Sequence, residues 1–247
     1  PLLRARFITR RLDFPWDDTM QLDLLHLARR IWRYRLPDRS LGYLEEHVLD
    51  LERTGEDTPG YMIPDLYFDY LKTGDSRPLK GVFYHNNVDI LSLVTLMQKL
   101  NTMLDDPLGA VENGEDLLAV ARLYEEFDRW EEAARFFEKS LEMEMEAGLL
   151  AYGRKQFTFL LKRIERREEA LSLWWQAAAD REIYAFEELA KHYEHQAKDI
   201  DEALKWTESA LALIQGKDFS KAERFQWEDD LVHRLNRLNR KKGLTSP

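Results

Sequence analysis

The sequence predicts a mainly α-helical chain in two parts, the second built from repeated helical hairpins. Three observations predict it. Glycine and proline are scarce, 11 and 8 in 247 residues, and the two strongest loop signals, residues 53–65 and 104–116, draw on both. Between these breaks, apolar residues recur at helical spacing. Beyond them, a short motif returns at intervals of 37 and 33 residues.

The helices follow in order. "TMQLDLLHLARRIWRYRL" (19–36) sets Leu24, Leu27, Ala28, Ile31 and Trp32 on one face, with Met20, Gln21 and Leu22 open to a strand-like start. "RSLGYLEEHVLDL" (39–51) opens on Ser40 as an N-cap and repeats Leu41, Leu44, Val48 and Leu51. "RTGEDTPGYMIPD" (53–65) is a loop signal, and "IPDLYFDYLKTG" (63–74) runs from Pro64 in the first turn to Gly74 at the stop. "NVDILSLVTLMQKLNTML" (87–104) is apolar over more than half its circumference and reads as a buried helix. Val82, Phe83 and Tyr84 make a short extended lead-in to it, and Asn86 or Asn87 a cap. "LDDPLGAVENGED" (104–116) separates a first domain (1–106) from a second (117–247), with 107–116 as the linker.

The second part repeats itself. "EEAA" (131–134), "EEAL" (168–171) and "DEAL" (201–204) each follow a short polar turn and a preceding helix. Each carries a small residue, Ala133, Ala170 or Ala203, where two helices must approach closely. Aromatics follow on the same helix: Phe136 and Phe137, Trp174 and Trp175, then Trp206. A hairpin of this size cannot bury its apolar face alone, and stacking neighbours makes one core. The period and the Ala-plus-aromatic pattern resemble tetratricopeptide-type repeats, although that family's early Trp-Leu-Gly element is missing. "KAERFQWEDDLVHRLNRLNRKK" (221–242) reads as a capping helix with Phe225, Leu231, Leu235 and Leu238 on one side.

Composition narrows the function. Net charge is −10, which disfavours a general polyanion-binding surface. Residues 1–35 are the basic end, with Arg4, Arg6, Arg10, Arg11, Arg29, Arg30, Arg33 and Arg35. The absence of cysteine excludes disulfides, thiolate metal sites and a Cys nucleophile, and makes a reducing, cytoplasmic interior the easier home. No apolar run is long enough to span a bilayer. The sequence has no glycine-rich phosphate loop, His-Glu-x-x-His motif or nucleophile elbow.

Three elements of the first part resemble a known family: "LDLLHLARRIW" (22–32), "ERTGEDTPGYMIPDLYFDYLKTGD" (52–75) and "HNNVDILSL" (85–93). Together, residues 22–96 resemble the C-terminal part of the YprB-type ribonuclease-H-like domain, a branch of the DEDD 3′–5′ exonuclease superfamily. The resemblance implies phosphodiester hydrolysis of DNA or RNA by two divalent cations, Mg²⁺ or Mn²⁺, held by four carboxylates. It places the last of these at Asp89, with His85 or Tyr84 positioning or deprotonating the attacking water. Asp23 stands at a recurring family position and reads as supporting. In an intact family member, Arg29, Arg30 and Arg33 would give one helix a basic flank for a nucleic-acid backbone.

The family's first motif, an Asp-x-Glu on a strand, is absent, as is the Asn-Gly-Lys-x-Phe-Asp stretch that precedes its Pro-Leu-Leu. The chain therefore reads as beginning after them, leaving a truncated α/β domain that keeps its helices and little or no sheet. On this reading the 247 residues are a fragment that lacks nuclease activity by itself. The rival reading is a non-enzymatic protein-interaction module in which the repeats bind a partner. A third is a degenerate nuclease domain that binds nucleic acid without cutting. Outside the family pattern, His26 is expected to pack beside Trp or Arg, and Trp174 and Trp175 to lie in the core.

Overall fold

The computed structural model describes residues 2–13, 20, 22–53, 58–216 and 219–245. Its regular elements are helices, and among the described residues there is no β-strand. In order they are α1 (Leu2–Thr9), α2 (Leu24–Ile31), α3 (Leu41–Val48), α4 (Ile63–Thr73), α5 (Lys80–Asp105), α6 (Pro107–Ala110) and α7 (Gly114–Glu126). There follow α8 (Trp130–Leu141), α9 (Ala147–Arg163), α10 (Arg167–Ala179), α11 (Ile183–His192), α12 (Ile200–Ile214) and α13 (Lys221–Thr245). The described residues contain no helix long and apolar enough to cross a membrane. The chain divides into two compact units, residues 1–30 with 38–101, and residues 31–37 with 102–247. Residues 107–116, the linker of the sequence reading, hold α6 and the first residues of α7.

In the first unit, α4 keeps its sequence signals. Pro64 sits in its first turn, and Gly74 ends it at φ 72°, where a residue without Cβ is unstrained. Ser40 precedes α3, but its hydroxyl donates to Asp38 Oδ2 at 2.6 Å instead of capping the helix. Residues 82–84 are helical rather than extended, since α5 begins at Lys80, and Asn86 and Asn87 therefore lie within the helix rather than at its cap. The expectation of a wholly buried α5 is corrected as well. Val88, Ser92, Leu96, Leu100 and Met103 form its one buried stripe. Phe83, Ile90, Leu91, Val94 and Met97 are each more than half exposed. A helix turns about 100° per residue, so one stripe at spacings of three and four buries a narrow arc and leaves the rest of the surface out. Of the lead-in residues 20–22, Gln21 and the upstream stretch 14–19 lie outside the described residues, as do 54–57 of the loop signal.

In the second unit each helix from α7 to α13 packs on the next. The three alanines singled out by the repeat, Ala133, Ala170 and Ala203, are all fully buried. Five residues ahead of each stands a left-handed residue: Asp128 at φ 58°, Glu165 at 62° and Lys198 at 57°. The amide after that residue reaches back across the turn, Arg129 to Tyr124 O and Arg166 to Leu161 O. At the third turn the bond spans one residue more, Asp199 to Tyr193 O, because residues Tyr193–Ala197 form a turn of π-helix. The repeat is thus a repeated backbone turn as well as a sequence pattern.

Aromatics follow the alanines inward. Phe137 stacks on Phe157 at 5.6 Å, and Phe136 meets Tyr124 edge-on at 4.8 Å. Trp174 is 4% exposed as expected, but Trp175 is 44% exposed and meets Trp206 edge-on. Helix α13 covers α12: Leu238 packs with Ala203 and Leu204, and Leu231 with Ala210 and Ile214. Phe225, expected on the same side, is 78% exposed.

Candidate active site

The candidate site is assembled by one arginine. Helix α3 carries Glu45 on its buried side next to Leu44. The chain leaves α3 by a tight reversal, with Leu49 N–H donating to Leu44 O, Leu51 N–H to Glu45 O, and Asp50 left-handed at φ 52°. That reversal brings Arg53 back over Glu45. Its Nε and Nη2 donate to the two carboxylate oxygens at 2.5 and 2.8 Å, a bidentate fork on a side chain 1% exposed. The remaining donors cross to α5, where Nη2 meets Asp89 Oδ1 at 2.5 Å and Nη1 meets His85 Nδ1 at 3.0 Å.

His85 and Asp89 lie four residues apart on α5, so both project from one face. His85 Nε2 stands 3.4 Å from Asp89 Oδ2. Arginine can only donate, so its contact calls for an acceptor lone pair at Nδ1, and Nε2 is the ring nitrogen that faces Asp89. In this arrangement both ring nitrogens are engaged. Tyr84 precedes His85 by one position, about 100° round the helix, and so leaves from a different face.

Two divalent cations need several free oxygen donors converging on one place. Arg53 takes both oxygens of Glu45 and Oδ1 of Asp89. Among the described residues no three His, Asp or Glu side chains form a group able to hold a metal ion. With Arg53 in place the residues present do not fit a metal centre; its guanidinium stands where a cation would compete for Asp89.

The other candidates are dispersed. Asp23 and His26 are exposed at the start of α2, Asp23 Oδ1 accepting from Leu25 N–H at 2.9 Å and His26 Nε2 lying 3.6 Å from Asp23. The expected packing of His26 on Trp or Arg is therefore replaced by a solvent-side pair. Arg29 and Arg30 close the last turn of α2, and Arg33 follows it with its guanidinium 4.9 Å over the Tyr34 ring. Sequence reasoning missed Glu45 and Arg53. Glu45 lies between two apolar positions of the α3 pattern, Leu44 and Val48, and a charged residue there is the signal that a partner is needed.

Residues 1–101 match the family described as the RNase_H superfamily. The chain is also similar to "Uncharacterized protein YprB" of Bacillus subtilis (strain 168), 34% identical over 194 residues. That alignment covers 77% of this chain and 46% of the relative, so the chain spans about half of the relative's length. No solved structure matches it.

Proposed function

We propose that the whole protein is a metal-dependent ribonuclease-H-like 3′–5′ exonuclease acting on DNA or RNA, with Mg²⁺ or Mn²⁺ as its cofactor. This chain contributes His85 and Asp89, and the further carboxylates come from outside the described residues. Tyr84 is the alternative water-positioning residue, and Arg29, Arg30 and Arg33 are the backbone contacts. The second unit, with its tetratricopeptide-like hairpins, engages the nucleic acid or a protein partner.

The observation that carries the reading is the His85–Asp89 pair, held face to face at 3.4 Å within the segment that matches the superfamily. Arg53 holds that pair through its contacts with Asp89 Oδ1 and His85 Nδ1. The 247-residue chain by itself is expected not to cleave nucleic acid. Assay of the full natural chain with a labelled oligonucleotide and Mn²⁺ tests the proposal: loss of cleavage in Asp89→Asn supports it. Function that survives Asp89→Asn but fails when the hairpin surface is changed favours the interaction-module reading, which rests on the three repeated turns.

A further inference from the structure

Far along the chain from His85 and Asp89, the second unit holds a cavity of about 350 Å³ whose charge runs against that of the chain. Lys162 of α9, Arg167 and Trp174 of α10, Lys191 of α11, and Arg234 and Arg237 of α13 line it. The carboxylates around it are already engaged. Glu188 accepts from Lys162 at 2.6 Å and from Lys191 at 2.8 Å. Glu194, its side chain wholly buried, accepts from Arg234 at 3.0 Å, Arg237 at 2.7 Å and Lys241 at 2.7 Å. Glu187 faces Lys191 and Arg234, and Glu165 faces Arg167. Five cationic side chains and one carboxylate, Glu188, thus line the cavity in a chain whose net charge is −10.

The backbone is built for this wall. The π-helical turn at Tyr193–Ala197 ends where Lys198 N–H donates to Tyr193 O. The widened turn seats Glu194 beneath the α13 cations while His195 and Gln196 line the cavity, with His192 beside them. Trp174 supplies an apolar wall, with Lys162 Nζ 5.9 Å from its ring centre.

We propose that this cavity binds the phosphomonoester group of a nucleotide. Such a group carries close to two negative charges at neutral pH and suits a lining of five cations and one carboxylate. Arginine forks match phosphate oxygens, and the volume suits one small ligand. The same chemistry is offered by a free nucleotide and by the phosphorylated end of a strand.

The test is calorimetric titration of the 247-residue chain with AMP, adenosine, a 5′-phosphorylated oligothymidylate, its unphosphorylated form and a glutamate-rich peptide. The phosphorylated ligands should bind at least about tenfold tighter than their unphosphorylated counterparts, the scale of a charge-assisted contact. Binding of AMP identifies a free nucleotide as a sufficient ligand; binding of the phosphorylated strand alone identifies a strand end. Arg167 lies at the rim, 44% exposed, so Arg167→Glu should leave the melting temperature unchanged and weaken binding about tenfold or more, with Arg167→Lys restoring most of it. Equal binding with and without the phosphate, an Arg167→Glu affinity within about twofold of the parent, or tighter binding of the peptide overturns the proposal. Asp89→Asn should leave this binding intact, which separates it from the fate of the nuclease reading.

Discussion

Replacing Glu194 by Gln should be among the most destabilising conservative changes in the second unit. Burial alone would push its carboxyl up, but hydrogen bonds from Arg237 and Lys241, with the charge of Arg237, override that and hold it at about 2, against an ordinary 4.5. That difference is worth roughly 3 kcal/mol, because each pKa unit of preferential binding is about 1.4 kcal/mol. The sign follows from the depressed value. The stability is fully present above about pH 4.5 and is lost as pH falls toward about 2. Glu194→Gln should therefore lose roughly 3 kcal/mol in urea unfolding at pH 7, with a lowered melting temperature. The gap between the two proteins should close as pH drops from 4.5 to 2. A gap below about 1 kcal/mol at pH 7, or one that does not change with pH, would mean that Arg237 and Lys241 do not stabilise the Glu194 carboxylate.

Three further outcomes are expected. Asp116 is buried, which raises its carboxyl to about 6 although Arg35 Nε donates to it at 2.8 Å. Its contribution runs the opposite way, present below about pH 3.8 and lost as pH rises through 6, so Asp116→Asn should flatten the unfolding free energy between pH 4 and pH 6. Arg53→Met should cost about 3–5 kcal/mol by stranding buried Glu45, and the added change Glu45→Gln should recover a large part of it in a double-mutant cycle. Ser92 is fully buried and its hydroxyl has no hydrogen-bond partner among the described residues, so Ser92→Ala should raise stability by about 1 kcal/mol in chemical unfolding.

Particular residues show what the sequence could reveal. Ala133, Ala170 and Ala203 were legible because close helix approach demands a small residue, and the motif recurs with it. The left-handed turns five residues earlier were not, since Asp128, Glu165 and Lys198 replace the glycine that usually marks such a site. The buried arc of α5 was hidden because apolar residues cover more than half of the helix's circumference and blur the contrast in the periodicity. His85 and Asp89 stood out as a helical pair, whereas Arg53 reaches them across 32 and 36 residues from the edge of a loop. Local spacing carries no information about a contact of that kind. The cavity of the second unit was hidden for the same reason, its cations lying on four separate helices.

For Asp89 to serve as a metal carboxylate in the full natural chain, as proposed, Arg53 must release it. Mn²⁺-dependent trimming of a 3′-labelled oligonucleotide by the full natural chain, parent against Asp89→Asn at matched melting temperature, tests that role most directly. Asp89→Asn should lose at least about a hundredfold, the scale of roughly 3 kcal/mol of transition-state stabilisation. Undiminished cleavage by a folded Asp89→Asn protein would contradict it.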